Sequence, residues 1–397
     1  MKVFIAGMDG YLGWSLALYL TARGHEVSGC DLFLRRQWVE EMGSWSGIPI
    51  ASMQERLQAL KKHSGADLLF RQGDLQEYAF VEGILRETQP DAIVHLGECP
   101  SAPYSMLDVQ HAAWVQTNNM VGTLNILYAM KAVCPDAHLV KLGTMGEYGT
   151  PNIDIPEGFF TIEYRGRTDT LPFPRQAGSW YHWSKVHDSN NVMFACRTWG
   201  LRSTDIMQGV VYGSGLSEMD GDEKLRTRLD FDQCFGTAIN RFCCQAVIGH
   251  PLTIFGQGEQ RRGFLPLKDS MQCLTLAIEK PPVTGEYRVF NQFEEVYSLV
   301  ELAHKVQKVG ASLGLKVDIR PVENPRKEAE VHYFRPDHQH LLDLGYKPTH
   351  DMEAELAVML RDLLKYRDRI EAKREILIPD IRWDGSRRRS RFLTEAL

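Results

Sequence analysis

The stretch KVFIAGMDGYLGW, residues 2–14, runs from a short apolar segment into three glycines, Gly7, Gly10 and Gly13, and on into the helical pattern WSLALYLTARG. The GxxGxxG spacing at a strand-to-helix turn has a mechanical reading. Gly7 lets the chain turn tightly, Gly10 lets the backbone approach a pyrophosphate, and Gly13 lets the helix pack on the strand. Tyr11 and Leu12 open the helix, whose free N–H groups and positive dipole end face the same anion.

Outward from this turn, apolar runs recur as EVSGCDL, LLFRQGDL, AIVHLGE and HLVKLGT, separated by helical patterns such as FVEGILRETQ and TNNMVGTLNILYAMKAV. Strands this apolar belong in a parallel sheet covered on both faces. The expected fold is α/β, a doubly wound parallel sheet of Rossmann type. Asp31, ending the second apolar run, is placed to accept hydrogen bonds from an adenosine ribose, which favours NAD over NADP; Arg35 and Arg36 nearby are able to take a 2′-phosphate instead. Asp74 and Leu75, in QGDL, fall where the loop after the third strand meets adenine.

LRSTDIMQGVVYG reads as a further strand and glycine turn, after which the pattern changes. FDQCFGTAINRFCCQAVIG reads as one long helix, PLTIFG and VDIRPV as strands, and DSMQCLTLAIEK, SLVELAHKVQKVGASLG and MEAELAVMLRDLLKYRDRIEAKRE as helices. GEYRVFNQF reads as a strand returning to the first sheet. The expected division is therefore residues 1–212 and 264–293 for the dinucleotide-binding domain. Residues 213–263 and 294–397 form a smaller, discontinuous substrate domain. The tail DGSRRRSRFLTEAL is expected to be loosely ordered.

A chain of 397 residues with net charge −6 and no long basic run gives no reason to expect a nucleic-acid or membrane partner. No window reaches the roughly 18 uninterrupted apolar residues of a membrane span, and the N-terminal run breaks at Gly7 without a signal-peptide cleavage pattern. The expectation is a cytoplasmic protein, or an organellar one after removal of a transit peptide. Eight cysteines without a CxxC or Cys/His cluster predict buried thiols and no metal.

QAGSWYHWSKVHDSNN, residues 176–191, sets Tyr181, His182 and Lys185 on one predicted helix. Tyr181 and Lys185, four apart, share a face. A tyrosine with a pKa of about 10 is a poor base, but a neighbouring ammonium, together with the positive nicotinamide ring of NAD+, lowers that value and equips it to take a proton from a sugar hydroxyl. Thr144, in KLGTMGEYG, supplies a third hydroxyl at a strand end.

Thr144, Tyr181 and Lys185 together with GMDGYLG resemble the extended short-chain dehydrogenase/reductases of the NAD-dependent epimerase/dehydratase type. KLGTMGEYGTPNIDIPEG, GRTDTLPFPRQAGSWYHWSKVHDS, QGVVYG and FGTAINRFCCQAVIGHPLTIFGQG resemble, more narrowly, the UDP-sulfoquinovose synthase family. That resemblance implies UDP-glucose and sulfite as substrates, with NAD as cofactor. It also implies a cycle in which C4 is oxidised, a 4-keto-5,6-ene forms, sulfite adds at C6 and C4 is reduced again. His182 and Glu147 then become candidates for the extra acid–base steps, with Met145 shaping the pocket. Asn118 is assigned to the cofactor, and Asn119, Gln208, Tyr212, Asn240 and Arg241 to UDP. Arg262 and Arg326 are assigned to its pyrophosphate, and Arg175 and Arg167 to the sugar or sulfite. The family further implies a homodimer through the helix at 118–131 and the catalytic helix.

HLGECPSAPYSM has Cys99 and Pro100 where the resembled family carries glutamine and arginine, and GFLPLKD has Pro266 for aspartate. Two enzyme readings stay open, the sulfite-adding synthase and a related dehydratase or epimerase. A regulatory NAD sensor is disfavoured by the retained tyrosine and lysine.

Overall fold

The computed structural model describes residues 1–326, 331–349, 351–378 and 381–383. The tail expected to be loose lies outside the described residues. In chain order the first half contains β1 (Lys2–Ala6), α1 (Tyr11–Thr21), β2 (Glu26–Asp31), α2 (Leu34–Glu41), α3 (Met53–Ser64), β3 (Leu69–Gln72), α4 (Tyr78–Thr88) and β4 (Ala92–His95). It continues through α5 (Ala102–Ser105), α6 (Val109–Val133), β5 (His138–Thr144), the hairpin β6 (Phe159–Tyr164) and β7 (Arg167–Pro172), α7 (Trp180–Trp199), β8 (Arg202–Gln208) and β9 (Val210–Tyr212). The remainder comprises α8 (Ala238–Ile248), β10 (Leu252–Phe255), β11 (Arg261–Pro266), α9 (Leu267–Glu279), β12 (Tyr287–Gln292), β13 (Glu295–Ser298), α10 (Leu299–Ser312), β14 (Ile319–Val322), α11 (Gln339–Asp343), α12 (Met352–Leu364) and α13 (Arg367–Glu371).

Seven strands form one parallel sheet in the order β12-β8-β5-β4-β1-β2-β3. The returning strand expected from GEYRVFNQF is β12, paired with β8. One face is packed by α1 and α9 through Trp14, Leu16, Leu18, Met271, Leu274 and Ile278. The other is packed by α4, α6 and α7 through Val81, Ile84, Ile126, Leu127 and Val192. Each such fully buried aliphatic side chain stabilises the fold by about 1.5–3 kcal/mol. From β1 the chain winds outward through β2 and β3, and from β4 in the opposite sense through β5 and β8. The crevice at the carboxyl ends of β1 and β4 is therefore the switch point where ligands bind in such sheets.

Several local expectations fail. FDQCFG does not continue α8, because the Asp232 carboxylate accepts the N–H groups of Cys234 and Phe235, and Thr237 Oγ1 then caps the helix by accepting from Asn240. These side-chain bonds offer the backbone a turn in place of a helix. MEAELAVMLRDLLKYRDRIEAKRE is broken after Leu364, where Lys365 and Tyr366 make short-range bonds to Asp362 and Leu363. β9 joins a separate sheet, β13-β11-β9, rather than the large one. A second core surrounds α8, α10 and α12, with Ile239, Phe242, Leu302, Val306, Leu356 and Met359 buried in it.

Candidate active site

At the switch point the three glycines divide their roles as geometry requires. A Cβ on Gly7, whose φ is +87°, would lie 2.6 Å from the Leu96 carbonyl carbon, and one on Gly13 would lie 2.1 Å from the Gly7 oxygen. A Cβ on Gly10 would meet only the Gly7 oxygen at 3.3 Å, so the face of the turn toward the crevice is open. Gly10 supplies no capping side chain to α1, which leaves the first N–H groups of the helix for a ligand anion. Tyr11, Leu12, Asp31, Asp74, Leu75 and Asn118 line the same cavity, of about 370 Å³. The Asp31 carboxylate accepts from the N–H groups of Asp9 and Phe33, and burial beside Asp9 pushes its pKa up to about 6. A bare glycine turn, an uncapped helix start and a carboxylate beyond them fit a dinucleotide.

Arg36 does not line this cavity. Its guanidinium grips the Asp9 carboxylate at 2.6 and 2.8 Å and the Ala51 carbonyl. Arg35 does line it, but is committed to Asp230 at 2.8 Å. Neither arginine is held in reserve for a 2′-phosphate.

Thr144, Tyr181 and Lys185 line one continuous cavity with the glycine turn. Thr144 ends β5, and its Oγ1 accepts from Gly146 N–H at 3.2 Å. Tyr181 sits in the first turn of α7, which Ser179 caps, and its N–H donates to Ser105 Oγ at 3.0 Å. Lys185 is buried; its Nζ donates to the Leu142 carbonyl at 2.6 Å and forms an ion pair with Glu98. The lowered tyrosine pKa expected from the lysine is not what the polypeptide produces by itself. Burial, with Glu147 and Cys99 adding to it, holds the Tyr181 phenol above its ordinary value, and burial pulls Lys185 below the usual lysine range.

Glu147 is completely buried and does not face the cavity. It forms an ion pair with Arg175 and accepts from Ser189 Oγ at 3.0 Å and from Thr144 N–H at 3.2 Å. Its geometry is that of a group positioning Thr144, and Arg175 is correspondingly spent on Glu147. Met145 lies in a small core with Tyr148, Ile155 and Phe173. His182 rests on Gly146, where a Cβ would come within 2.3 Å of its Nε2, and its Nδ1 meets Ser179 Oγ at 2.9 Å. Burial, then the charges of Arg326 and Arg262, push its pKa down to about 3, so the imidazole is neutral.

Among the residues assigned to UDP, Gln208 and Asn240 line the cavity, whereas Asn119 and Tyr212 do not. Asn119 clamps the β4 loop to α7, with Cys99 N–H donating to its Oδ1 and its Nδ2 reaching Ser184 Oγ at 2.9 Å. Tyr212 is buried in the second core. Arg241 is buried across Phe255, and burial, then Arg326, lower its pKa to about 9. Arg326 acts electrostatically on both Arg241 and His182, and Arg262 on His182, and none of the four lines the dinucleotide cavity. Arg167 lies on the exposed hairpin strand β7. Cys99 is buried behind the cavity wall, while Pro100 is part of it; Pro266 closes β11 just before α9.

Sequence reasoning missed Glu98, Trp38, Arg228, Asp230 and Thr237, all on the cavity wall. Glu98 alone carried a signal, as a charged residue directly after the apolar run of β4. Among the described residues no group of histidine, cysteine and carboxylate side chains is arranged to hold a metal, all eight cysteines are free thiols, and no helix is long and apolar enough to cross a membrane.

Residues 3–291 match the model of the NAD dependent epimerase/dehydratase family. The chain is 48% identical over 382 residues to the chloroplastic UDP-sulfoquinovose synthase of Spinacia oleracea, spanning 96% of this chain and 79% of that protein. It is 47% identical over 384 residues to the UDP-sulfoquinovose synthase of Sulfolobus acidocaldarius, spanning 96% and 98%. The fold matches the crystal structure of the Thermotoga maritima UDP-glucose 4-epimerase with UDP-glucose at a TM-score of 0.67 and 19% identity, covering 92% of this chain and 99% of that one.

Proposed function

Because this chain belongs to the NAD-dependent epimerase/dehydratase family, in the group that contains the UDP-sulfoquinovose synthases, we propose that it converts UDP-glucose and sulfite to UDP-sulfoquinovose. The observation that carries the reading is the single cavity lined by the glycine turn, Asp31, Thr144, Tyr181 and Lys185. The cofactor is NAD, held by the open face at Gly10, the start of α1, Asp31 and the Asp74–Leu75 loop. When bound it supplies the acceptor for the hydride of C4 and the donor that restores it.

The chain's own groups then have defined tasks. Tyr181 as phenolate takes the proton of the C4 hydroxyl and later, as phenol, returns it; the Lys185 ammonium and the positive nicotinamide that NAD would bring oppose the burial that holds the proton on the phenol at rest. Thr144 Oγ1, already accepting from Gly146 N–H, has its own hydrogen to donate to a substrate oxygen. Lys185 orients the site through its ammonium. His182, neutral and beside Tyr181 with ring centroids 4.9 Å apart, offers a donor or acceptor for the C5 and C6 steps. The influence of Arg326 on both Arg241 and His182, and of Arg262 on His182, supports placing the pyrophosphate and the incoming sulfite on that side.

The substrate half is assigned to residues 213–263 and 294–397. A homodimer through α6 and α7 is supported by Leu124, Tyr128, Trp183 and Phe194, which leave 37–59% of their surface open on these two helices; a monomer in sedimentation at micromolar concentration would contradict it. The eight free thiols support a reducing compartment such as the cytoplasm. A second reading, a dehydratase or epimerase that adds no sulfite, rests on the uncharged Pro100 in the cavity wall. Incubation with UDP-glucose in heavy water tests the chemistry common to the synthase and the dehydratase. Deuterium should enter at C5 with the natural chain and not with Tyr181→Phe; no exchange in either would overturn the 5,6-ene route.

A further inference from the structure

Residues 225–230 cross over the glycine turn and the start of α1, and they are tied down there. Trp14 Nε1 donates to the Leu225 carbonyl at 2.8 Å, Arg56 Nη2 to the Arg226 carbonyl at 3.0 Å, and Thr227 Oγ1 to the Tyr11 carbonyl at 3.0 Å. Leu229 N–H donates to Ser46 Oγ at 2.9 Å, and Gly47 N–H to the Leu229 carbonyl at 2.8 Å. The strap is thus fastened to α1, to α3 and to the 44–47 segment, and it brings Arg228 and Asp230 to the wall of the cavity that the glycines also line.

Within it Arg228 is 1% exposed and lines the cavity. Its Nε and Nη2 hold the Asp230 carboxylate at 2.9 and 3.1 Å, but Nη1 is buried without a hydrogen-bond partner. Asp230 meets the Nε/Nη2 edge of the planar guanidinium, so Nη1, on the other edge, points away from that carboxylate, which also answers Arg35 at 2.8 Å. Asp31, whose pKa Arg228 pulls downward, has its oxygens taken by two backbone N–H groups. A buried guanidinium N–H left unpaired costs stability unless a ligand supplies the acceptor. Gly10, the open face of the turn, lines the same cavity.

We propose that Arg228 is a further cofactor-holding residue, its Nη1 donating to a pyrophosphate oxygen of the dinucleotide from the strap side, so that the anion lies between this guanidinium and the start of α1. The proposal rests on the dinucleotide reading of the cavity.

Binding of NAD, ADP-ribose and adenosine to the natural chain and to Arg228→Met, by calorimetry on the full-length protein, tests it. NAD and ADP-ribose should weaken by about tenfold or more, the loss expected of one hydrogen bond to a charged group, while adenosine binds as before. Equal affinity in both proteins would overturn the proposal, and so would a uniform loss that includes adenosine. Failure of the natural chain itself to bind NAD and ADP-ribose would overturn the dinucleotide reading and the proposal with it. Should Arg228→Met not fold, Arg228→Lys, which keeps the charge but not the fork, should show the same selective loss for the two pyrophosphate ligands.

Discussion

The ammonium of Lys185 is paired with the carboxylate of Glu98 inside the crevice that both share with Tyr181. Glu98 is itself buried, 3.7 Å from His95 Nε2, and Lys185 is further stabilised in its charged form by Asp188 and Asp205. Burial nonetheless pulls the lysine below its usual range. The alkaline limb of kcat/KM should therefore fall below the ordinary lysine value of about 10.4. Glu98→Gln removes a charge that favours the ammonium and should move that limb to still lower pH. An unchanged pH profile in the variant would show that Glu98 does not govern Lys185.

Arg175 and Glu147 form a buried pair that holds the Thr144 backbone. Arg175→Met leaves the completely buried Glu147 carboxylate with Lys141, 3.6 Å away and shared with Asp205, as its remaining cation, and should cost about 1–3 kcal/mol. Chemical denaturation should register that loss together with lower kcat. The double variant Arg175→Met/Glu147→Gln should recover part of the stability. Additive losses would mean that the two residues act independently.

Much of this architecture is legible in the sequence because its signals are local. The apolar runs before Gly7, Asp31, Glu98 and Thr144 become β1, β2, β4 and β5, and the spacing of Tyr181 and Lys185 on α7 brings both to one cavity. What is not legible depends on partners distant in the chain. Arg36 looks like a phosphate ligand until Asp9 is seen beside it, and Glu147 looks like a free acid until Arg175 folds over it. Asp232 turns the chain away from helix at a point where the surrounding residues read as helical. Arg228 carries no motif at all; only the path of the strap brings it to the cavity.

His138 is buried in β5, with Nε2 at 2.9 Å from Thr204 Oγ1, and burial, then Arg288 and Arg202, push its pKa down to about 3. The folded chain then binds fewer protons here than the unfolded chain, so this residue's contribution is lost as pH falls from about 6.5 toward the folded value. Urea unfolding of the natural chain and of His138→Gln should show their stability difference shifting by about 2 kcal/mol in favour of the variant between pH 7 and pH 5. Raised carboxylates such as Asp232 oppose this trend in both proteins and cancel in the difference. A pH-independent difference would mean that His138 titrates in the folded chain as it does in the unfolded one, and would contradict its lowered value.

Sulfite is proposed to join a UDP-glucose-derived intermediate in the cavity bounded by Thr144, Tyr181 and Lys185. Mass spectrometry of the products formed from UDP-glucose and NAD, with and without sulfite, tests it most directly. A sulfonated nucleotide sugar that appears only with sulfite is the predicted result. Loss of water or isomerisation without any incorporation of sulfite would contradict it and assign the same residues to a dehydratase or epimerase.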